Sequence, residues 1–431
     1  MAPSISLEQY DVSLEHGFLP IEPPLKKLPS QYQSWESIAS NLPSLISSKE
    51  IVDIGANLPL IPTATLTTTR EFQRAYVLLG FIANAYLWGA SKPLNRLPAS
   101  IAVPFLAVAR HLDIPPVATY AAENLWNFEP VDPRLGIEDP GNFRALTTFT
   151  GTKDESWFYS LPAAIEMRGR HTIPLVLEAL DAVEAGNVNG VVERLGSIAA
   201  HLRELTLLLP RMYEKNSPSV FYNRIRPFLA GTTGADLPDG VFYEDGKGGG
   251  EFFKLKGPTA AQSSLFHLLD EALGVRHEST GDFLQVSNGP DHGRTRVELE
   301  QEMRNYMPAP HRRFLAVIAT KATIRAFVES STNEICLQHA YNHCLAALAN
   351  YRTKHLQMVS RYIVIPSREA SGFKSMVETE PGTAGRVASC EAPTGAKRVE
   401  NRKPALGTGG TAPIEFLKSV RSDTRDHVLK K

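Results

Sequence analysis

Three cysteines in 431 residues, Cys336, Cys344 and Cys390, form an odd set without a CxxC pair. That argues against a disulfide framework and against a cysteine-rich zinc site, and it suits a reducing compartment. A charge excess of either sign is also missing. The 45 basic and 46 acidic side chains leave a formal charge of −1, so no global field draws the chain onto nucleic acid or an anionic membrane. The most apolar run, from Ala75 to Gly89, is shorter than the roughly 20 residues a bilayer requires, and Arg74 and Lys92 flank it. It reads as a buried core helix. The start, Met1-Ala2-Pro3-Ser4-Ile5, lacks the basic and apolar regions of a signal peptide. Nucleophile motifs of the GxSxG type are absent, as is a Walker A loop. These absences leave a cytoplasmic globular protein with no nucleic-acid or membrane partner as the expectation.

What is present is helical periodicity. Val191, Leu195, Ile198, Leu202, Leu205, Leu209 and Met212 are spaced four and three residues apart, which lays one apolar stripe on a helix. Pro210 is expected to end or kink it. Residues 69–88, 162–184, 260–273, 311–329 and 334–364 also read as helices, and long alternating strand patterns are missing. The class is therefore mainly α. Residues 127–155 hold three prolines and three glycines without an amphipathic stripe, and read as a connector. They place a small N-terminal helical domain and connector at 1–148 and a larger C-terminal helical domain at 149–431. Residues 236–250 read as a further loop. Residues 366–406 are polar and rich in Ser, Glu, Lys, Pro and Gly, and read as a mobile loop.

Four constellations could carry chemistry. The helix 334–364 holds His339, His343 and His355. At about 100° per residue, His355 lies roughly 120° from His343 and 160° from His339, so the three cannot meet on one ion. The His339–His343 pair has zinc-ligand spacing, but alanine at 340 breaks the HExxH form. His355 shares its face with Leu337, Tyr341, Cys344, Leu348, Tyr351, Val359 and Tyr362. A lone imidazole on such a stripe is either a hydrogen-bonded core histidine or an axial haem ligand, with Arg352 on the same side to pair with an acidic cofactor group. The second constellation, Phe221-Tyr222-Asn223-Arg224-Ile225-Arg226, sets two aromatics before two arginines. That order suits an aromatic amino acid as readily as a helix start with core aromatics. Gly407-Thr408-Gly409-Gly410-Thr411 is either a close backbone approach to a ligand or a plain helix entry. In Gly257-Pro258-Thr259-Ala260-Ala261, Thr259 reads first as the N-cap of the helix running through Asp270, with small residues able to line a flat group.

These residues resemble the indoleamine 2,3-dioxygenase family. The resemblance is carried by Arg352-Thr353-Lys354-His355-Leu356-Gln357, by Pro227-Phe228-Leu229-Ala230-Gly231 after Arg226, and by Ala260-Ala261-Gln262-Ser263-Ser264. Met303-Arg304-Asn305-Tyr306-Met307-Pro308 with His311-Arg312, and the 407–411 loop with Phe416-Leu417-Lys418, continue it in the same order. Weaker similarity runs upstream through Tyr86-Leu87-Trp88-Gly89, Ile101-Ala102-Val103-Pro104 and Pro115-Pro116 with Tyr120, so it covers most of the chain.

The resemblance implies an all-α fold with haem b in the larger domain, and insertion of O₂ across the indole C2–C3 bond of L-tryptophan to give N-formylkynurenine. His355 matches the proximal iron ligand, and Arg352 with Asp270 a support pair for the haem propionates. Arg226 matches the arginine for the substrate carboxylate, and Phe221 and Tyr222 the aromatic pair beside it. Tyr120 and Phe158 match pocket walls, Thr259 and Ala260 small residues beside the haem, and Thr408 the threonine of a closing loop. An electron donor would keep the iron ferrous, and the protein is expected to be a monomer. Two positions depart from the family pattern. Pro162 stands where a small residue is common, leaving Ser160 to supply a hydroxyl if one is supplied, and Pro258 replaces a glycine. Both bear on pocket shape, and they keep open an alternative, a haem-binding relative with weak or different indole turnover, or a haem sensor.

Overall fold

Helix boundaries in this chain follow its caps and its apolar stripes. The computed structural model describes residues 5–234, 236–277, 296–369 and 413–429. Helices α1 (Gln33–Ser40), α2 (Leu42–Ser48) and α3 (Ile51–Asn57) lead into α4 (Thr69–Trp88). A capping box starts α4: Thr68 Oγ1 accepts from the Glu71 amide at 3.2 Å, and the Thr68 amide donates to Glu71 Oε2 at 3.0 Å. Every residue of α4 from Arg74 to Leu87 is buried, as expected of a core helix. Arg74 is tolerated there because its Nε and Nη2 donate to the two carboxylate oxygens of buried Glu36 at 3.1 and 2.6 Å. No helix among the described residues is long and apolar enough to cross a membrane.

Helix α5 (Ala99–Leu112) packs on α4. Then come α6 (Lys153–Gly169), α7 (Thr172–Glu184), α8 (Val188–Leu208), α9 (Ser264–Leu273), α10 (Arg296–Asn305), α11 (Ala309–Lys321), α12 (Ile324–Ser330), α13 (Ile335–Val359) and α14 (Pro413–Asp426). Helices α8 and α13 pack along their lengths, with α7 against α8 and α14 against α13. The predicted stripe of α8 is the buried face, and the helix gives way to a 3₁₀ turn at Leu209–Arg211, where Pro210 falls. Helix content exceeds strand by 63% to 5%, so the all-α class stands.

Several boundaries differ from the sequence reading. The helix expected over 162–184 is two, because the chain turns at Gly169, where a Cβ would lie 2.2 Å from Leu265 Cδ2 on crossing helix α9. The helix expected over 311–329 divides at Thr323, which precedes α12 and turns its hydroxyl onto the Lys321 carbonyl at 3.2 Å. Thr259 caps only a 3₁₀ turn at Ala260–Gln262, and α9 starts behind Ser263. The connector holds an antiparallel pair, β2 (Phe128–Pro130) with β3 (Phe143–Ala145). The 236–250 loop holds a strand, β4 (Val241–Glu244), which pairs with β5 (Gly250–Phe253) and, in parallel, with β1 (Arg96–Leu97). These strands are too short to show alternation.

Among the described residues three single π turns occur, at Ala121–Leu125, Phe221–Ile225 and Ser360–Val364. Each inserts one extra residue per turn and rotates the residues downstream of it, a device common at functional sites. All three border one cavity.

Candidate active site

The cavity has a volume of about 300 Å³ and lies between α6, α9, α13 and the three π turns. Aromatic rings form one wall. Phe158 and Phe221 meet at 4.8 Å between centroids, and Tyr362 stands edge-on to Phe221 at 5.6 Å. Phe266 and Tyr351 stack at 4.3 Å on another side. Pro162 lines the cavity from within α6, and Pro258, Thr259 and Ala260 line it from the segment before α9. That segment is fixed by close backbone contact, since a Cβ on Gly257 would lie 2.2 Å from the Leu229 carbonyl oxygen.

Three histidines line the cavity, and their hydrogen bonds separate them. The Nε2 of His267 sits 2.9 Å from the Ala261 carbonyl. His277 has Nδ1 at 2.9 Å from Asp423 and Nε2 at 3.3 Å from Asp270. His355 makes no such bond with the described residues, and burial alone pushes its pKa down to about 4. It is therefore a neutral imidazole near neutral pH, with a lone pair available to a metal. Its ring is partly accessible because it faces the cavity rather than a packed neighbour.

Beside it, Arg352 Nη2 holds both oxygens of Asp270 at 2.7 and 2.6 Å, and its Nη1 reaches Thr424 Oγ1. Burial would raise the Asp270 carboxyl, but Arg352 and His277 outweigh it and hold the group well below the usual carboxylate range. Through His277 and Asp423 the network ties α9 and α13 to α14, whose Leu417 and Val420 also line the cavity.

Tyr120, also in the lining, is doubly held. Its amide donates to Gln262 Oε1 at 2.8 Å, and its hydroxyl donates to Glu166 Oε1 at 3.0 Å, an oxygen that also accepts from Ser263 Oγ at 2.5 Å. Burial pushes the Glu166 carboxyl up to about 7 against the pull of those two donors, so it holds a proton over much of the physiological range. One π turn onward, Glu123 and Asn124 line the cavity as well. Burial, then repulsion from Glu155, raises the Glu123 carboxyl well above its ordinary range.

The structure thus gathers Tyr120, Phe158, Phe221, Thr259, Ala260, Asp270, Arg352 and His355 around one cavity. Tyr222 and Arg226 are not among the lining residues; they are near Phe221 and Leu229 in sequence, with the Arg226 guanidinium 5.2 Å from the Tyr222 ring centre. Burial lowers the Arg226 pKa, a cost that an anionic partner would offset. Thr408, the 407–411 loop and most of 366–406 lie outside the described residues. The Ser160 hydroxyl is not turned to the cavity; it donates to the Ser156 and Phe143 carbonyls at 2.7 and 3.3 Å, as a helical serine can when its backbone neighbours are buried. His339 and His343 are exposed, and His343 Nε2 lies 3.0 Å from Arg203. No group of three metal-type ligands occurs among the described residues, so the zinc reading has no support here.

Sequence reasoning missed His277, Glu166, Ser263, Glu123 and Asn124. The last two carried a signal. They are polar residues inside the otherwise apolar run Ala118-Thr119-Tyr120-Ala121-Ala122-Glu123-Asn124-Leu125-Trp126.

The indoleamine 2,3-dioxygenase family model matches residues 6–427. A 6-hydroxytryptophan 2,3-dioxygenase of Fusarium equiseti is 40% identical over 97% of this chain and 96% of its own. An indoleamine 2,3-dioxygenase of Saccharomyces cerevisiae is 36% identical over 98% of this chain and 94% of its own. Indoleamine 2,3-dioxygenase 2 of Homo sapiens is 32% identical over 99% of this chain and 97% of its own. With a cavity of this lining and a match along nearly its whole length, the chain belongs to the indoleamine 2,3-dioxygenase family, dioxygenases acting on indoles.

Proposed function

We propose that this protein is a haem-dependent dioxygenase that opens the indole C2–C3 bond of L-tryptophan or a ring-substituted tryptophan, giving N-formylkynurenine from tryptophan itself. The observation that carries the reading is His355, a neutral imidazole with no hydrogen bond to the described residues, facing an apolar cavity. One such nitrogen with apolar walls suits haem b held by a single protein ligand, and the buried Arg352–Asp270 pair suits the neighbourhood of its propionates. When bound, the haem supplies the oxygen chemistry.

The chain's own residues bind and orient. Arg226 grips the substrate carboxylate, with Tyr222 packed against its guanidinium. Phe158, Phe221 and Tyr120 confine the indole, and Thr259 and Ala260 leave room beside the cofactor. The apolar lining keeps water out, and positioning of this kind supplies much of the rate. Thr408 is assigned to the substrate on the resemblance alone. The larger domain, 149–431, would house the haem, with Tyr120, Glu123 and Asn124 of the preceding segment completing the wall. The partners are O₂, the indole and an electron donor, and the protein would act as a cytoplasmic monomer.

The test is the visible spectrum of haem-reconstituted protein, wild type and His355→Ala, with reductant and L-tryptophan in air. A Soret band that depends on His355, with product absorbance growing, is expected. Wild-type protein that takes up no haem specifically would overturn the reading. A second reading, different or weak indole turnover, is favoured by Pro162 and Pro258 in the cavity wall and by the relative named for 6-hydroxytryptophan. A Soret band without product from tryptophan would move the assignment there.

A further inference from the structure

The cavity wall is largely apolar, and its polar groups include two neighbours on the first π turn. There, Glu123 and Asn124, at 3% and 4% exposure, both line the cavity. Glu123 Oε1 and Asn124 Oδ1 are buried and accept no hydrogen bond among the described residues. The other end of the Asn124 amide is fixed, since its Nδ2 donates to the Tyr120 carbonyl at 3.1 Å. That bond sets which way Oδ1 points and denies the residue a flip that would relieve it. Two adjacent orphaned acceptors are expensive, because each has given up water without gaining a partner. A π turn, which also departs from the ordinary helical hydrogen-bond ladder, holds both of them in place. One neighbouring carboxylate shows the contrast. Glu155 is equally buried, yet it accepts from the Phe149 and Thr150 amides and from Thr150 and Tyr159 hydroxyls.

We propose that Glu123 and Asn124 form a specificity subsite for a hydrogen-bonding substituent on the ring of the indole substrate, a ring hydroxyl being the group that fits. The inference rests on the reading of this cavity as an indole site, and it names which tryptophans the site prefers. The subsite adjoins Tyr120, the residue placed against the indole ring, and not Arg226, which is placed at the carboxylate. A hydroxyl donates one hydrogen bond and accepts another. Asn124 Oδ1 accepts, and a protonated Glu123 both accepts and donates, so the two together can satisfy a hydroxyl completely. A plain indole edge would offer neither side chain a hydrogen-bond partner. A site built to hydrogen-bond a substrate hydroxyl discriminates strongly against the analogue that lacks it.

The experiment compares L-tryptophan with 6-hydroxy-L-tryptophan and its positional isomers on the haem-reconstituted full chain. Dissociation constants are read by calorimetry and kcat/KM by product formation. One hydroxylated isomer is expected to bind at least about tenfold more tightly than tryptophan. Glu123→Leu and Asn124→Leu should each pull that ratio toward unity, and Glu123→Gln, which keeps an acceptor and a donor, should retain most of it. The Soret band serves as the control for folding and haem retention. A wild-type ratio at or below one for every isomer overturns the proposal, and so does a ratio that the leucine variants leave unchanged. If a leucine variant does not fold, the wild-type ratio and Glu123→Gln still decide. Failure to turn over any indole would count against the dioxygenase reading instead, while the ratio of dissociation constants would still test the subsite.

Discussion

Replacing Glu166 by glutamine should flatten one limb of the protein's stability against pH. The carboxyl is 1% exposed, and its ordinary value of 4.5 is pushed up to about 7 by burial, against the donors Ser263 and Tyr120. At about 1.36 kcal/mol per pH unit, keeping it ionised in the folded chain costs on the order of 3 kcal/mol. The sign is set by proton binding. The folded state holds this proton more tightly than the unfolded chain, so the benefit is complete below the unfolded value. It is lost as pH rises through the interval up to about 7. Glutamine keeps an oxygen for the Tyr120 and Ser263 hydroxyls and carries no proton equilibrium. Urea unfolding of both proteins, between about pH 5 and 8, should give a difference in stability that grows in the variant's favour by roughly 2–4 kcal/mol and then levels off. Other groups act in the same window with opposite sign. His267, His311 and His355 are held down to about 4 and add stability as pH rises. They are common to both proteins, so they cancel in the difference. A difference that stays flat across the window would refute the argument.

Arg226→Ala should raise KM for L-tryptophan by about 10–150-fold, as expected for a charge-assisted bond of roughly 1.5–3 kcal/mol, with the Soret band intact; loss of haem would remove Arg226 from the substrate. Arg352→Ala leaves Asp270 buried with His277 beside it and no guanidinium, and should cost roughly 3–5 kcal/mol in unfolding free energy at neutral pH, measured by denaturant titration. The Asp270 contribution is present above the ordinary carboxylate value of 3.8 and is lost as pH falls below it, so the wild type and Arg352→Ala should converge in acid. Gly257→Ala places a Cβ 2.2 Å from the Leu229 carbonyl oxygen and should lower stability by about 1–3 kcal/mol, with reduced haem uptake because Pro258 and Thr259 move with it.

The fold class was legible because burial in this chain obeys helical spacing. The α8 stripe and the long helix of His355 could be read from apolar positions three and four apart, and the core helix α4 from its continuous apolar run. Side-chain companionship was not legible. Nothing in the local pattern joins Asp270 to His277 and Asp423, because Asp423 is brought there by the packing of α14 on α13. Nor does spacing alone separate His355 from His267. Both are single imidazoles among apolar residues, and only the bond from His267 to the Ala261 carbonyl distinguishes the tethered ring. Ser160 failed as a candidate hydroxyl for a similar reason, since a helical serine can spend its hydroxyl on the carbonyl four residues back.

The three π turns did not hide the site. A helical wheel assumes about 100° per residue, and an inserted residue makes the wheel wrong beyond that point. Yet Glu123 and Asn124 lie three and four residues after Tyr120, the ordinary spacing of a shared helical face, and all three line the cavity. His355, Met358, Val359, Tyr362 and Ile363 keep the same spacing into the turn at Ser360–Val364 and line it as well. What spacing could not supply was which face is buried. Two polar residues three and four after Tyr120 read as a solvated side until the packing of α4 and α6 on that turn is known, and those contacts join segments far apart in sequence.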